Sequence, residues 1–524
     1  MSKTNNKPTD NLRRRPTRSS RVGDRAADFI KSRGTAFSVI TAALIAAVVI
    51  VNIILYTLTS LYGLYAYSKN RDDLTISGNT DRVFKNLPTS RGVTVTFCMD
   101  EQSLDAHQTG SFVHDTARQF ARRYSFIKLR YVNLLTQVDQ DGNSVDLNKY
   151  TKDMKGNEAK VLTTSVIFES EHNYFSVTDS VSSVGFAGFY VLNSSGYANV
   201  YSGEEIFASM VAWVLNDEHK TAYLTQNHGE TADVALSNML TCAGYYVDVV
   251  NLRRDEVPSD AGLVIISAPR YDFEKGRDGL VRAEIERLST YMDRGGKLYV
   301  AIDPLCDRLP VLEEFLASYG MTMPVYESQY GSVRQLVRES DDSVSVGGMS
   351  FVATHAEGEL SERIADNMTI YGSGRVLLQD VGRIETDPTL GAHPLLISSP
   401  SSVAMGGSER VDSKGGYTVA AYSQRENEDG SIASLFLIPG AVLSSSGAMN
   451  VDGYSNKDFL YSAFEELFDS SAALYGIKGI TMYTDTALHG FTMKNARTYT
   501  ALIMILPAAL AVGAGVIVVK RKNR

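Results

Sequence analysis

The spacing of apolar and polar positions divides this chain into recognisable elements. "GVTVTFCMD" (residues 92–100) alternates like a strand. After it, Val113, Ala117, Phe120 and Tyr124 recur at helical spacing, and "FIKLRYVNL" (residues 126–134) reads as a second strand. Together they predict a β-α-β opening. "KVLTTSVIFES", "NYFSVTD" and "GFAGFYVLNSS" read as extended, and the polar stretch 140–160 as a loop. Ser202, Gly203, Glu204 and Glu205 fit a capping box that starts a helix. Ile206, Met210, Trp213 and Val214 then share one face, which puts the single tryptophan in a core.

The clearest pattern runs from residue 221 to residue 320. "TAYLT", "YYVDVVNL", "AGLVIISAP" and "KLYVAID" read as strands. "VALSNMLTCAG", ended by Gly244, the stretch 279–294 with Val281, Ile285, Leu288 and Met292 on one face, and "LPVLEEFLASYG" read as helices. This alternation predicts an α/β fold with a doubly wound, mostly parallel sheet. From 321 to 411 the pattern weakens into short strands and loops. "GYTVAAYSQ" and "SIASLFLIPG" then read as strands and "NKDFLYSAFEELF" as a helix, which either finish the sheet or build a small added lobe.

Two long apolar runs change the picture. Residues 36–68 are 33 residues without a charge, and residues 498–519 are 22. Each exceeds the roughly 20 residues that cross a hydrocarbon core. The first is too long for the apolar core of a signal peptide, so it reads as an uncleaved anchor. Tyr62, Tyr65 and Tyr67 cluster at its outer end, as aromatics do at an interface. Arg13, Arg14, Arg15, Arg18, Arg21 and Arg25 precede the first run, and Lys520, Arg521 and Lys522 follow the second. The positive-inside rule then places both ends in the cytoplasm and residues 69–497 outside the cell membrane.

The expected organisation is a basic disordered cytoplasmic tail (1–35), a first span (36–68), an N-terminal α/β or α+β domain (69–200) and a doubly wound α/β domain (201–321). A continuation with loops and short strands (322–470), a membrane-proximal linker (471–497), a second span (498–519) and a basic tail (520–524) complete it. Charge agrees with this division. The ends carry +7 and +4 against a total of −9, so residues 69–497 carry −20. An acidic middle argues against nucleic-acid binding, which needs a positive surface. Cys98, Cys242 and Cys306 are too few for a disulfide framework and have no zinc-ligand spacing.

Candidate chemistry lies where strands end. In an open α/β sheet, ligands bind at the carboxyl ends of strands near a switch in strand order. His228, Gly229 and Glu230 follow one predicted strand, Pro269 and Arg270 a second, and Asp303 and Pro304 a third. His228, Gly229, Glu230 and Asp303 are therefore the ligand-binding candidates. The same residues also have a plain structural reading. Asn227 and Gly229 suit a sharp turn, and Glu230 suits a helix start. No phosphate-binding Gly-x-x-x-x-Gly-Lys-Ser/Thr loop and no Gly-x-Ser-x-Gly elbow occurs. Cys306 sits among carboxylates in "DPLCD", a poor setting for a nucleophilic thiol. No catalytic residue, metal site or cofactor is expected.

The order "YSGEEIFASMVAWVLNDEHKTAYLTQNHGE", "GYYVDVVNL", "VPSDAGLVIISAP", "IERLSTYMDRGGKLYVAIDP" and "VLEEFLASYGM" resembles the Gldg-type family. These are auxiliary components of a bacterial ABC-type transport system, linked by name to gliding motility. The strand–"HGE"–helix unit and "GGKLYVAIDP" are the most specific elements. Family members often carry glycine before the histidine, where this chain has Asn227. The resemblance implies a non-enzymatic accessory protein beside a separate permease and ATPase. Two readings of other classes stand beside it: an envelope-polymer hydrolase or transferase using His228, Glu230 and Asp303, and a non-catalytic surface sensor or scaffold.

Overall fold

The computed structural model describes residues 74–177, 185–192, 198–232, 234–275, 283–329, 331–340, 348–371, 373–451, 453–470 and 474–482. Both uncharged runs, both basic tails and residues 483–497 lie outside them. Among the described residues, no helix is long and apolar enough to cross a membrane.

The opening β-α-β unit is present. Strand β1 (Val93–Phe97) pairs parallel with β2 (Ile127–Asn133), and helix α1 (Gly110–Arg123) connects them. Strands β3 (Val138–Asp139), β4 (Val166–Glu169) and β5 (Tyr174–Ser176) complete a five-stranded sheet in the order β3-β2-β1-β4-β5. Helix α2 (Gly203–Leu215) packs on this sheet through Phe207, which touches Phe120 and Phe168 at ring-centroid distances of 5.3 and 5.1 Å.

The expected capping box does not form. Ser202 makes no side-chain cap. Glu204 instead accepts hydrogen bonds from the Ser77 and Thr80 side chains, and Glu205 turns inward to Lys457 and Tyr461. Both carboxylates find donors distant in sequence, and these outcompete the local amide.

A second sheet has nine strands. In chain order they are β6 (Thr221–Thr225), β7 (Tyr246–Val250), β8 (Ala261–Ser267), β9 (Lys297–Ala301), β10 (Ser350–His355), β11 (Val376–Gln379), β12 (Ala392–Ile397), β13 (Thr418–Glu426) and β14 (Ile432–Ile438). Their order in space is β11-β10-β12-β13-β14-β9-β8-β6-β7. The five strands from β14 to β7 are mutually parallel. The other four run antiparallel to their neighbours. The sheet is thus mixed, and the expected parallel character holds for one half. The reason is local: a short turn at residues 427–431 joins β13 to β14, and so short a connection can only return the chain antiparallel. Both of those strands lie in the middle of this sheet and do not build a separate lobe.

Helices α3 (Val234–Cys242), α4 (Glu284–Met292) and α5 (Pro310–Ser318) follow strands of the parallel half, while α6 (Glu359–Tyr371) and α7 (Asn456–Phe468) pack together beside the antiparallel half. The sheet is buried on both faces, which explains the unbroken apolar run in β8. Leu263 and Ile265 face one core, with α2 and α7. Val264 and Ile266 face the other, with Leu288 of α4 and Leu312 of α5.

In the parallel half, β7 lies on one side of β6, and β8, β9 and β14 follow on the other. Strand order therefore reverses between β6 and β8. The carboxyl ends of those two strands are where such sheets place ligands.

Candidate functional site

The turn carrying His228 sits at this reversal. It leaves β6 at Thr225 and passes through Asn227 and Gly229, whose φ angles are 84° and 72°. Positive φ is costly for residues with a Cβ, and asparagine is among the few that adopt it readily. That accounts for asparagine at position 227. Next to Gly229 the chain is tight: a Cβ there would stand 3.2 Å from Arg270 and Tyr271 side-chain atoms.

His228 itself is fully buried. Its Nδ1 lies 2.8 Å from Glu230 Oε1 and its Nε2 lies 3.0 Å from Glu284 Oε1. Its backbone N–H donates to Glu230 Oε2 at 2.6 Å, and its carbonyl accepts from the amides of Arg270 and Tyr271. The ring stacks on Phe273 with centroids 3.9 Å apart and planes 12° from parallel. Glu284 uses its second oxygen to accept from the Glu274 amide at 2.7 Å, and Arg253 approaches its first at 3.5 Å.

Burial pulls the His228 pKa down, but hydrogen bonds and charge from Glu230 and Glu284 outweigh it and raise it to about 9. Burial pushes the two carboxyls up, and the histidine outweighs that, holding both below the usual range. His228 is therefore an imidazolium that donates from both nitrogens. Such a ring has no lone pair for a metal and none to act as a general base. It ties the β6 turn, the 268–273 loop and the start of α4 into one unit.

Of the sequence candidates, the structure brings Glu230 and Gly229 to His228. Asp303 follows β9 at the same sheet edge, but its Oδ1 accepts from Leu305 N at 2.9 Å and shapes its own turn. Sequence reasoning missed Glu284 and Phe273. An acid in the first turn of α4 was the only available sign of Glu284, and it reads equally as a helix-dipole partner. Among the described residues, no group of three or more His, Cys, Asp or Glu side chains is placed to hold a metal. All three cysteines are free thiols. Burial raises Cys98 and Cys242 to about 12 and raises Cys306 as well, Arg334 offsetting part of it there.

A cavity of about 280 Å³ lies elsewhere, between α2, α3 and α7. Its walls include Ile206, Met239 and Met449, and its polar floor is Glu205, Lys457 and Tyr461. Lys457 donates to Glu205 Oε2 at 2.6 Å and Tyr461 to Glu205 Oε1 at 2.7 Å. Burial lowers the Lys457 pKa, but Glu205 outweighs it, so the lysine stays charged. The cavity is polar at its base without a free charge.

No family model matches this sequence, and no curated protein matches it. Three solved structures are similar over 47% of the chain. They are the mmIFT52 N-terminal domain (14% identity, 96% of that chain, TM-score 0.34), a ThuA-like protein from Bacteroides uniformis (13%, 90%, 0.29) and PurLQS from Thermotoga maritima (14%, 99%, 0.27). At TM-scores of this size these likenesses carry no argument about function.

Proposed function

We propose that the chain is a membrane-anchored auxiliary subunit of a bacterial ABC-type transport system, with a binding or coupling role and no catalysis of its own. Two spans hold it in the cell membrane, its ends are cytoplasmic, and residues 69–497 form its extracytoplasmic body, whose parallel half is doubly wound. The observation that carries this reading is the bracketing of one acidic folded body by two uncharged runs, each with basic residues on its outer flank. Without a phosphate-binding loop in this chain, energy has to come from a partner ATPase.

The geometry at His228 favours this over a hydrolase or transferase built on His228, Glu230 and Asp303. Acid–base work needs a group that can reach substrate and exchange a proton. His228 is closed off from solvent with both ring nitrogens engaged, and Asp303 is occupied by its own turn. Affinity purification of the full-length protein in mild detergent tests the proposal. A multi-span permease and an ATPase should co-purify in comparable amounts, and genes for both should neighbour its own. Recovery of the intact protein without either partner would count decisively against it.

A further inference from the structure

Between the two sheets lies a smaller cleft of about 130 Å³, half of whose lining residues are aromatic. Tyr174 and Phe175 of β5, Trp213 of α2, and Tyr245 and Tyr246 at the start of β7 contribute rings, and Asp153 contributes a carboxylate. The rings stand steeply to one another. Phe175 and Trp213 have centroids 4.9 Å apart at 64°, and Trp213 and Tyr246 lie 5.4 Å apart at 87°. A flat sugar ring needs a platform to lie on. Steep rings make a corner, which suits a compact, rounded group. The volume points the same way, since sites for drug-sized molecules run from about 300 to 1,000 Å³.

The electrostatics favour a cation. Aromatic faces carry negative charge density and attract ammonium groups within about 6 Å. The structure already uses this: the Lys155 ammonium lies 4.8 Å from the centroid of Tyr246 while donating to Thr221 Oγ1. Lys155 itself does not line the cleft. Asp153 accepts from the backbone amides of Lys155 and Asn157 and from the Asn157 side-chain amide, all neutral donors. Both oxygens are engaged in its own turn, so Asp153 acts on the cleft through its charge and not as a hydrogen-bond partner. His219, stacked on Trp213 at 3.9 Å, is kept from protonating chiefly by burial, so it adds no opposing charge at neutral pH.

We propose that this cleft binds a compact organic cation with a quaternary or methylated ammonium head, the half-buried rings of Tyr174, Phe175 and Tyr246 forming its walls over the buried Trp213, and Asp153 supplying the counter-charge. The proposal stands on the cleft alone and needs no transporter partner, so it can fail or succeed independently of the function proposed above. A free solute cation is favoured over a phosphocholine headgroup, because the carboxylate of Asp153 in the lining repels added negative charge.

Trp213 is the only tryptophan in the chain, so its fluorescence reports on the cleft directly. Full-length protein in a detergent lacking quaternary ammonium is titrated at constant ionic strength with choline, with phosphocholine and with 3,3-dimethylbutan-1-ol, the uncharged carbon analogue of choline. Choline should give a saturable change, the carbon analogue should bind about tenfold more weakly or not at all, and phosphocholine should fall between. Asp153→Asn should weaken choline about fivefold and leave the analogue unaffected, while Lys155→Met should tighten choline. Tyr246→Leu should abolish the response. If that variant does not fold, Asp153→Asn, in an external turn, keeps the test open. Phosphocholine binding as tightly as choline would move the assignment to a lipid headgroup. No saturable response to any cation, or equal binding of choline and its carbon analogue, would overturn the proposal.

Discussion

His228 concentrates the residue-scale argument, because its charge is both buried and needed. With the ring removed, Glu230 and Glu284 would face each other with their hydrogen bonds lost. Removing one partner of a buried ionic group costs about 3–5 kcal/mol, so His228→Leu should destabilise the fold by that order. The pH dependence follows from the shifts. The folded histidine titrates at about 9, above its unfolded value of about 6.5. Its stabilisation is complete below about pH 6.5 and is lost as pH rises through 9. Glu230 and Glu284 are depressed, so theirs is complete above about pH 4.5 and is lost on acidification. Urea denaturation at pH 6 and pH 9.5 should show wild type losing stability at the higher pH and His228→Leu changing much less. Parallel losses in both proteins would refute the assignment. The neighbouring Asn227 offers a cleaner backbone test. At φ 84°, Asn227→Gly should be neutral within a few tenths of a kcal/mol, while Asn227→Val should cost about 1–2 kcal/mol. The turn was legible in the sequence, since Asn-His-Gly announces positive φ. Glu284 was not, because it reaches His228 from 56 residues away and nothing local marks the contact.

At the scale of elements, Glu205, Lys457 and Tyr461 join α2 to α7 through a buried ionic contact. Lys457→Met alone strands the Glu205 carboxylate and should cost about 3–5 kcal/mol. Adding Glu205→Gln removes the stranded charge while keeping an acceptor for Tyr461, so the double variant should recover most of that loss. Four denaturation curves measure it; a double variant no more stable than Lys457→Met would show that the two residues do not act as a pair. Elements were legible where one periodicity held over many residues, as in β8 and α5. The helix α6 escaped notice because its buried apolar side chains Leu360, Ile364 and Met368 are set among polar neighbours. Its spacing of four was present, but serine, glycine and aspartate on either side suggested loops. The antiparallel half of the sheet was hidden for another reason. Strand direction depends on connection geometry, and a strand's own sequence carries no mark of which neighbour it will pair with.

For the whole molecule, the decisive quantity is where charge sits relative to the apolar runs. The body between the runs carries −20, and the segments outside them are basic. Basic residues are held on the cytoplasmic side of a membrane during insertion, so the proposed topology has the chain cross twice and return to its starting side. The fold places no obstacle to this, since the acidic body has its own cores on both faces of the second sheet. Single cysteines introduced at Asp10 and Ser340, in a background with Cys98, Cys242 and Cys306 replaced by serine, test the arrangement. Ser340 is exposed, so Ser340→Cys should react with a membrane-impermeant maleimide on intact cells, or on spheroplasts where an outer envelope blocks the reagent. Asp10→Cys should react only after the membrane is opened. Labelling of position 10 without position 340 would invert the topology and remove the accessory-subunit reading with it. That reading needs the body on the side where a permease meets external solutes, and the ATPase partner needs the opposite side.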